Sequence, residues 1–142
     1  MRGMFSEGMA QTHKTLHVAE RLLERHCSSL ARHFQQQGVH VTMFATAWLL
    51  TQFTSSFPFG LVVRVWDAFL FEGWKISYRV LLAILQSQQL ESIPFEDILV
   101  RLRDCTVDTD AVMKSALRIR MRWAHIRWYE KQWKPEHAAT TL

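Results

Sequence analysis

The sequence has few of the residues that crosslink or break a chain, with two cysteines, three prolines and five glycines among 142 residues. Cys27 and Cys105 stand far apart, which predicts reduced thiols in a cytosolic protein and not a disulfide framework. The longest nearly uncharged stretch, 39–59, contains seven Ser, Thr and Gln residues and is therefore a poor transmembrane candidate. The amino-terminal residues show no apolar segment typical of a secretory signal. Extracellular, disulfide-rich and membrane-spanning classes are thus disfavoured.

What remains is an ordinary globular composition with an uneven charge. Apolar residues make up 49% and charged residues 21%, so the chain can bury a core and is not a disordered tail. Residues 1–106 carry ten Lys/Arg against nine Asp/Glu, whereas 107–142 carry seven against four and three of the six tryptophans. A basic segment of this kind indicates either a solvated helical face or contact with an anionic surface.

The few breakers divide the chain into pieces of helical length in which apolar residues recur every three or four positions. The segment 12–37 fits one helix or two short helices in line. The segment Leu61–Phe71 is rich in β-branched residues, so a strand competes with a helix there. We predict an all-α domain of several helices joined by short turns, which ends in a long basic amphipathic helix. The predicted helices are 12–37, 41–55, 60–71, 75–89, 94–104 and 108–134.

No catalytic, cofactor-binding or metal-binding constellation is visible in the sequence. No pair of glycines stands at the spacing of a phosphate-binding loop. His13 and His17 share a helical face, but no cysteine or carboxylate pair accompanies them at ligand spacing. His26 and Cys27 are adjacent, and neighbours on a helix diverge by about 100°, which is poor geometry for a thiolate–imidazole pair. We therefore predict no cofactor, no metal and no catalytic residue.

Three strings carry a more specific signal: FATAWLLTQF at 44–53, FP at 57–58 and RVWDAFLFEG at 64–73. Together they resemble the C-terminal half of the TBC domain of Rab GTPase-activating proteins. The resemblance covers about residues 1–128 and leaves 129–142 as the end of the last helix and a short tail. It implies a TBC-like C-terminal lobe. The family-motif residues, which we expect to be structural, are Trp48, Arg64, Trp66, Asp67, Glu72 and Gly73.

The resemblance also implies a function, although two motifs that this function needs do not occur in the sequence. Proteins of this family supply an arginine from an IxxDxxR motif and a glutamine from a YxQ motif to a Rab, which then hydrolyses GTP faster. An arginine supplied in trans is worth roughly 10³–10⁵ in rate. Both motifs belong to the N-terminal half of the family domain, and neither string occurs in this sequence. The expectation is a domain fragment acting in Rab regulation and vesicle trafficking, without enzymatic activity of its own and inactive alone.

Two departures from the family pattern keep an alternative open. Phe44 stands where the family commonly has tyrosine, and Ala47 where it commonly has glutamine. The alternative is a catalytically inactive TBC-like scaffold that binds a Rab or another protein. A third hypothesis has the last helix bind an anionic surface.

The expected partner is a Rab GTPase and not nucleic acid. The expected location is the cytoplasm, with peripheral association to endomembranes through the Rab. A fragment should also leave apolar surface uncovered, chiefly on the helix at 41–53, and should therefore self-associate.

Overall fold

Eight α-helices and one 3₁₀ turn make up residues 2–133, the part of the chain that the computed structural model describes, with side chains from residue 10 onward. This range contains no strand, so the all-α prediction is confirmed. Residues 134–142, which include part of the predicted tail, lie outside it. The helices are α1 (Arg2–His26), α2 (Ser28–Gln37), α3 (Thr42–Leu50), α4 (Phe59–Glu72), α5 (Trp74–Ser87), α6 (Phe95–Arg103), α7 (Thr109–Arg118) and α8 (Trp123–Gln132), with the 3₁₀ turn at Leu90–Ser92.

Helix α5 is the centre of the core. Its residues from Ile76 to Leu85 are almost all buried, with Ile76, Val80 and Ile84 at 0% exposure. A helix that is apolar nearly all round is stable only when other helices surround it. The surrounding helices are α1, α4 and α7, while α8 and α2 pack on α1 and α6 packs on α3. Helix α5 is thus surrounded by α1, α4 and α7, and the remaining helices pack on α1 or α3.

The predicted helix at 12–37 is two helices, with α1 beginning much earlier than expected. Cys27 separates them at φ −135° and ψ 61°, outside the helical region. Its amide still donates to the Leu23 carbonyl at 2.8 Å, and its carbonyl accepts from the Ala31 amide at 2.9 Å. The break between α1 and α2 therefore keeps the backbone hydrogen bonds of Cys27. Gly38, at φ 74°, ends α2 in the left-handed conformation that glycine adopts readily.

The prediction of one long helix at 108–134 is wrong, because residues 119–122 separate α7 from α8. Asp108 caps α7, with its side chain accepting from the Ala111 amide at 2.9 Å. At the other end Ile119 is extended, at φ −72° and ψ 116°. Met121 then lies buried at 3% exposure. The chain leaves the helix here so that Met121 enters the core.

Helix α4 resolves the ambiguity at Leu61–Phe71 in favour of a helix. Leu61 and Val65, four residues apart, are both fully buried on the side that faces the core. Gly73 joins α4 to α5 at φ 63° and ψ −147°, a combination that residues with a Cβ avoid. A Cβ built at Gly73 would lie 3.7 Å from the ring of Trp123. The backbone conformation therefore favours glycine at this junction, whereas the ring of Trp123 would be in ordinary van der Waals contact with a Cβ there.

Candidate partner-binding surface

Trp48, the first of the family-motif residues, lies in an aromatic cluster inside the core. It is 3% exposed, with its ring centroid 5.3 Å from that of Phe44 and 4.9 Å from that of Phe57. Phe44 also meets Phe34 edge to face at 6.0 Å. Edge-to-face aromatic pairs contribute beyond the area that they bury. This cluster joins α2, α3 and the turn before α4.

Arg64 and Asp67 do not pair with each other, although their three-residue spacing on α4 would allow it. Arg64 instead forms an ion pair with Asp110, near the start of α7. Both side chains are largely solvent-exposed, so the pair contributes little stability. Asp67 is exposed and has no ion-pair partner within the part of the chain whose side chains are described. Its carboxylate is therefore available at the surface.

Glu72 belongs to a hydrogen-bond network that the sequence did not reveal. Its carboxylate accepts from Arg79 Nη1 at 3.1 Å, and the Arg79 side chain is 12% exposed. The same guanidinium donates to the carbonyls of Ile119, at 3.0 Å, and of Leu117, at 3.1 Å. The last carbonyls of a helix need such partners. Arg79 thus ties the end of α4, helix α5 and the end of α7 together.

Trp66, which is expected to be structural like the other family-motif residues, is half-exposed, at 50%, and its structural role stays a prediction. It belongs to a row of apolar side chains on the outer face of α4 with steps of four, three and four residues. Such steps place side chains above one another on one side of a helix. We call this row the α4 stripe; its members and their exposures are Phe59 (82%), Val63 (38%), Trp66 (50%) and Leu70 (80%).

The α4 stripe exposes on the order of 500 Å² of apolar side chain, judged from the sizes of aromatic and aliphatic residues. Patches of that size on soluble proteins often mark interaction sites. Asp67 lies beside the stripe, and Phe71, at 91% exposure, lies further round the helix. An apolar row with an unpaired carboxylate beside it can recognise a protein surface by shape and by one charge.

Helix α3 exposes less apolar surface than expected. Its Phe44, Ala45, Trp48 and Leu49 are buried, while Met43 and Leu50 are 48% and 60% exposed. The expectation that uncovered apolar surface lies chiefly on 41–53 is wrong, because α1, α6 and the aromatic cluster cover most of this helix. The largest exposures are on α4.

The two departures from the family pattern differ in their surroundings. Phe44 is buried among aromatic rings, so the hydroxyl of a tyrosine would have to find a partner there. Ala47 is exposed on α3, so a glutamine there would reach solvent or a partner. The first departure therefore concerns packing, and the second concerns the surface.

Several recesses flank helix α1. A small apolar one of about 200 Å³ is lined by Leu16, Leu49, Leu50 and Trp74 together with polar residues of α1. An open groove of about 860 Å³ runs between α1 and α8. The residues that line this groove are His17, Arg21, Glu24, Arg25, Trp128, Tyr129 and Gln132.

The titratable groups that are perturbed do not form a catalytic set. Burial raises the pKa of the Cys27 thiol, and it raises that of Cys105 to about 11, so neither is a ready nucleophile at neutral pH. Burial lowers the pKa of His26, and the nearby Arg25 and His125 lower it further. Among the described residues, no three His, Cys, Asp or Glu side chains are placed to share a metal ion. Within that same part, no helix has the length and apolar character of a bilayer-spanning segment.

The sequence matches one known protein family over more than half of its length. The family model of the Rab-GTPase-TBC domain matches residues 1–93. The chain belongs to this family. The match contains all three strings of the resemblance, from FATAWLLTQF to RVWDAFLFEG. The expected family is therefore confirmed, while the predicted domain limit at residue 128 stays a prediction.

Individual proteins are also similar in sequence to this chain. The human ecotropic viral integration site 5 protein homolog is 37% identical over 64% of this chain. The GTPase-activating protein GYP5 of Saccharomyces cerevisiae is 33% identical over 73% of the chain, and the Rab GTPase-activating protein tbc-11 of Caenorhabditis elegans is 25% identical over 94%. The matched regions are 11%, 12% and 15% of those three proteins. The chain thus corresponds to a small part of each relative.

Proposed function

We propose that this chain takes part in Rab GTPase activation as the lobe that holds the GTPase, and that it does not supply the catalytic side chains. Its membership of the Rab-GTPase-TBC domain family carries the proposal. The names of two relatives describe GTPase-activating proteins, one of them acting on a Rab. Hydrolysis itself is performed by the Rab, so the chain acts in trans and has no enzymatic activity of its own.

The proposal that the chain binds the GTPase without supplying catalytic side chains rests on the residues that the chain contains. Activation needs an arginine to offset the charge on the transferred phosphoryl group and a group to orient the attacking water. The 142 residues contain neither an IxxDxxR nor a YxQ string, and the only tyrosines are Tyr78 and Tyr129. Both tyrosines are buried in the core. The chain alone is therefore expected to bind without accelerating hydrolysis.

The α4 stripe is the surface on which we expect the GTPase to dock. It is apolar, exposed and carried by a helix whose other face is fixed in the core through Leu61 and Val65. A binding surface on a rigid helix loses little conformational entropy when it binds. The Rab then brings the complex to endomembranes, which places the chain in the cytoplasm as a peripheral component of vesicle trafficking.

Binding to GTP-loaded Rab GTPases tests this proposal. Replacing Phe59 and Leu70 together by serine removes the two most exposed members of the α4 stripe, at 82% and 80% exposure. We expect the Kd of the best-binding Rab to rise at least tenfold, because the loss of anchor residues at an interface typically costs more than about 1 kcal/mol each. Biolayer interferometry with a Rab panel measures the change.

The control replaces Val100 and Leu117, which are 49% and 55% exposed on α6 and α7. This Val100→Ser/Leu117→Ser variant removes exposed apolar area elsewhere, although less than the stripe variant does, and should keep the wild-type Kd. The docking proposal fails if no Rab binds or if both double variants bind alike.

The same stripe accounts for the proposed self-association of the chain. Without a partner, two copies can cover their stripes against each other. We therefore expect the weight-average mass in light scattering to rise with concentration for the wild type and less so for the Phe59→Ser/Leu70→Ser variant.

The alternative is a scaffold that binds a Rab or another protein without any role in hydrolysis. The exposed Ala47 favours it, since a glutamine at that position would add a polar contact on the surface. A hydrolysis assay with the N-terminal half of a TBC domain that carries both finger motifs separates the two hypotheses. Faster hydrolysis when this chain is added would support the activator lobe, and an unchanged rate would favour the scaffold.

A further inference from the structure

Helix α8 presents a basic face with an exposed tryptophan to solvent. Ile126 and Tyr129 are buried against the core, while Arg127, Trp128 and Lys131 are exposed. With 3.6 residues per turn, these three exposed side chains fall within an arc of about 100°. Trp128 is 53% exposed. The outer face of α8 therefore combines two cations with one large aromatic side chain.

The charge excess extends along the chain from α7 into α8. Residues 111–133 contain six Lys/Arg and a single acid, Glu130. That acid lies 3.9 Å from Lys14 of α1, so it does not offset its neighbours fully. Within residues 10–133, no carboxylate forms an ion pair with any of the six cations. The six, all exposed, are Lys114, Arg118, Arg120, Arg122, Arg127 and Lys131.

The groove between α1 and α8 adds a further cation beside Trp128. Arg25 donates from Nε to the Tyr129 hydroxyl at 2.9 Å, with its guanidinium carbon 5.7 Å from the centroid of that ring. It has no carboxylate partner in the described part of the chain. Arg21, by contrast, is paired with Glu24 at 2.9 Å. Arg25 thus extends the basic surface to α1.

We propose that this surface, the outer face of α8 with the 118–122 connection, docks on an anionic lipid bilayer. The positive charge is complementary to the negative potential of anionic lipid headgroups. Tryptophan prefers the boundary between headgroups and acyl chains, where its ring is apolar and its N–H is hydrated. This contact is made by the chain itself and does not depend on a bound Rab.

The apolar groups among the cations favour a bilayer over nucleic acid. Leu117 and Trp123 are 55% and 39% exposed close to the basic connection. The guanidinium carbon of Arg127 lies 5.9 Å from the Trp123 ring centroid. Leucine and indole gain free energy in the acyl boundary of a membrane, whereas a phosphate backbone offers leucine no apolar contact.

Sedimentation with vesicles, without any Rab, tests the proposal on the full 142-residue chain. We expect strong partitioning onto phosphatidylcholine vesicles that contain phosphatidylserine and little onto pure phosphatidylcholine. Replacing Arg127 and Lys131 by glutamine should lower partitioning about 25-fold, from roughly fivefold for each cation at an anionic surface. The difference between this variant and the wild type should disappear in 1 M salt, where the Debye length is about 3 Å.

Two further variants distinguish docking from general charge attraction. Replacing Arg32 and Arg103 by glutamine removes the same charge from exposed positions on α2 and α6, and partitioning should stay within about twofold of the wild type. Replacing Trp128 by alanine should weaken partitioning at low and high salt alike, because its contribution is apolar. Circular dichroism confirms that each variant is folded.

The proposal is overturned if neutral and anionic vesicles bind equally, or if the two charge variants lose the same affinity. Tighter binding to duplex RNA or to an acidic peptide than to anionic vesicles, at the same salt concentration, would overturn it as well.

Discussion

Replacing Trp48 by alanine is expected to lower the free energy of unfolding by about 3–5 kcal/mol, the range typical of removing a large buried aromatic side chain. Trp48 is 3% exposed and contacts the rings of Phe44 and Phe57. Its removal leaves a cavity that α3 cannot fill, because α3 is fixed against α1 and α6. Urea unfolding followed by far-UV circular dichroism measures the change. A loss of this size is a large part of the stability of a small domain.

Two variants control for this prediction. Trp48→Phe keeps an aromatic ring in the cluster and should lose clearly less stability than the alanine variant. Trp128→Ala removes a tryptophan that is 53% exposed and should change the unfolding free energy by about 1 kcal/mol or less. The packing described for Trp48 is wrong if Trp48→Ala and Trp128→Ala destabilise equally.

Replacing Arg79 by methionine is expected to lower the free energy of unfolding by about 2–4 kcal/mol. The variant keeps an apolar stem of similar length but removes the donors to Leu117, Ile119 and Glu72. Carbonyls and a carboxylate left without partners in a partly buried place cost about 1–3 kcal/mol each, less where water can enter. Hydrogen exchange should then show faster opening of the segment around 117–122 than of α5. The same urea titration gives the global effect.

Arg103 provides the comparison for Arg79. Its side chain is 73% exposed and its guanidinium lies 3.5 Å from the Asp104 carboxylate, so Arg103→Met should change stability by less than about 0.5 kcal/mol. A Glu72→Gln/Arg79→Met double-mutant cycle isolates the ion pair from the carbonyl contacts. If Arg79→Met is as mild as Arg103→Met, Arg79 does not tie α7 to α5.

Much of the fold was accessible from the sequence because local and tertiary preferences agree over most of the chain. The apolar run from Ile76 to Leu85 lies in the predicted helix at 75–89, and α5 is that helix. Gly38 and Asp108 act at the helix ends where glycine and aspartate are favoured. Such features depend on neighbours in the sequence, which is why the pattern reveals them.

The break between α7 and α8 could not be predicted in this way. No glycine or proline marks 119–122, and the apolar repeat continues through it. The helix ends there because Met121 enters the core and Arg79, forty residues away from Ile119, supplies the donors for the last carbonyls. Both causes are tertiary contacts, which the spacing of apolar residues along the sequence does not reveal.

The candidate surface was missed for a related reason. On α4, Leu61–Val65 and Trp66–Leu70 have the same four-residue spacing, so both rows were compatible with burial. The structure buries only the first and exposes the second. Spacing identifies the residues that share a face, but the position of α5 decides which face is covered.

Single-turnover GTP hydrolysis by a panel of Rab GTPases tests the central claim most directly. The chain is added at saturating concentration to each GTP-loaded Rab, with an intact TBC protein such as GYP5 as the positive control. We expect binding to at least one Rab with a hydrolysis rate within about twofold of the intrinsic one, since no arginine is supplied to the phosphoryl group. Acceleration by roughly 10³-fold or more by the chain alone would contradict it, because these residues would then supply the missing catalytic groups.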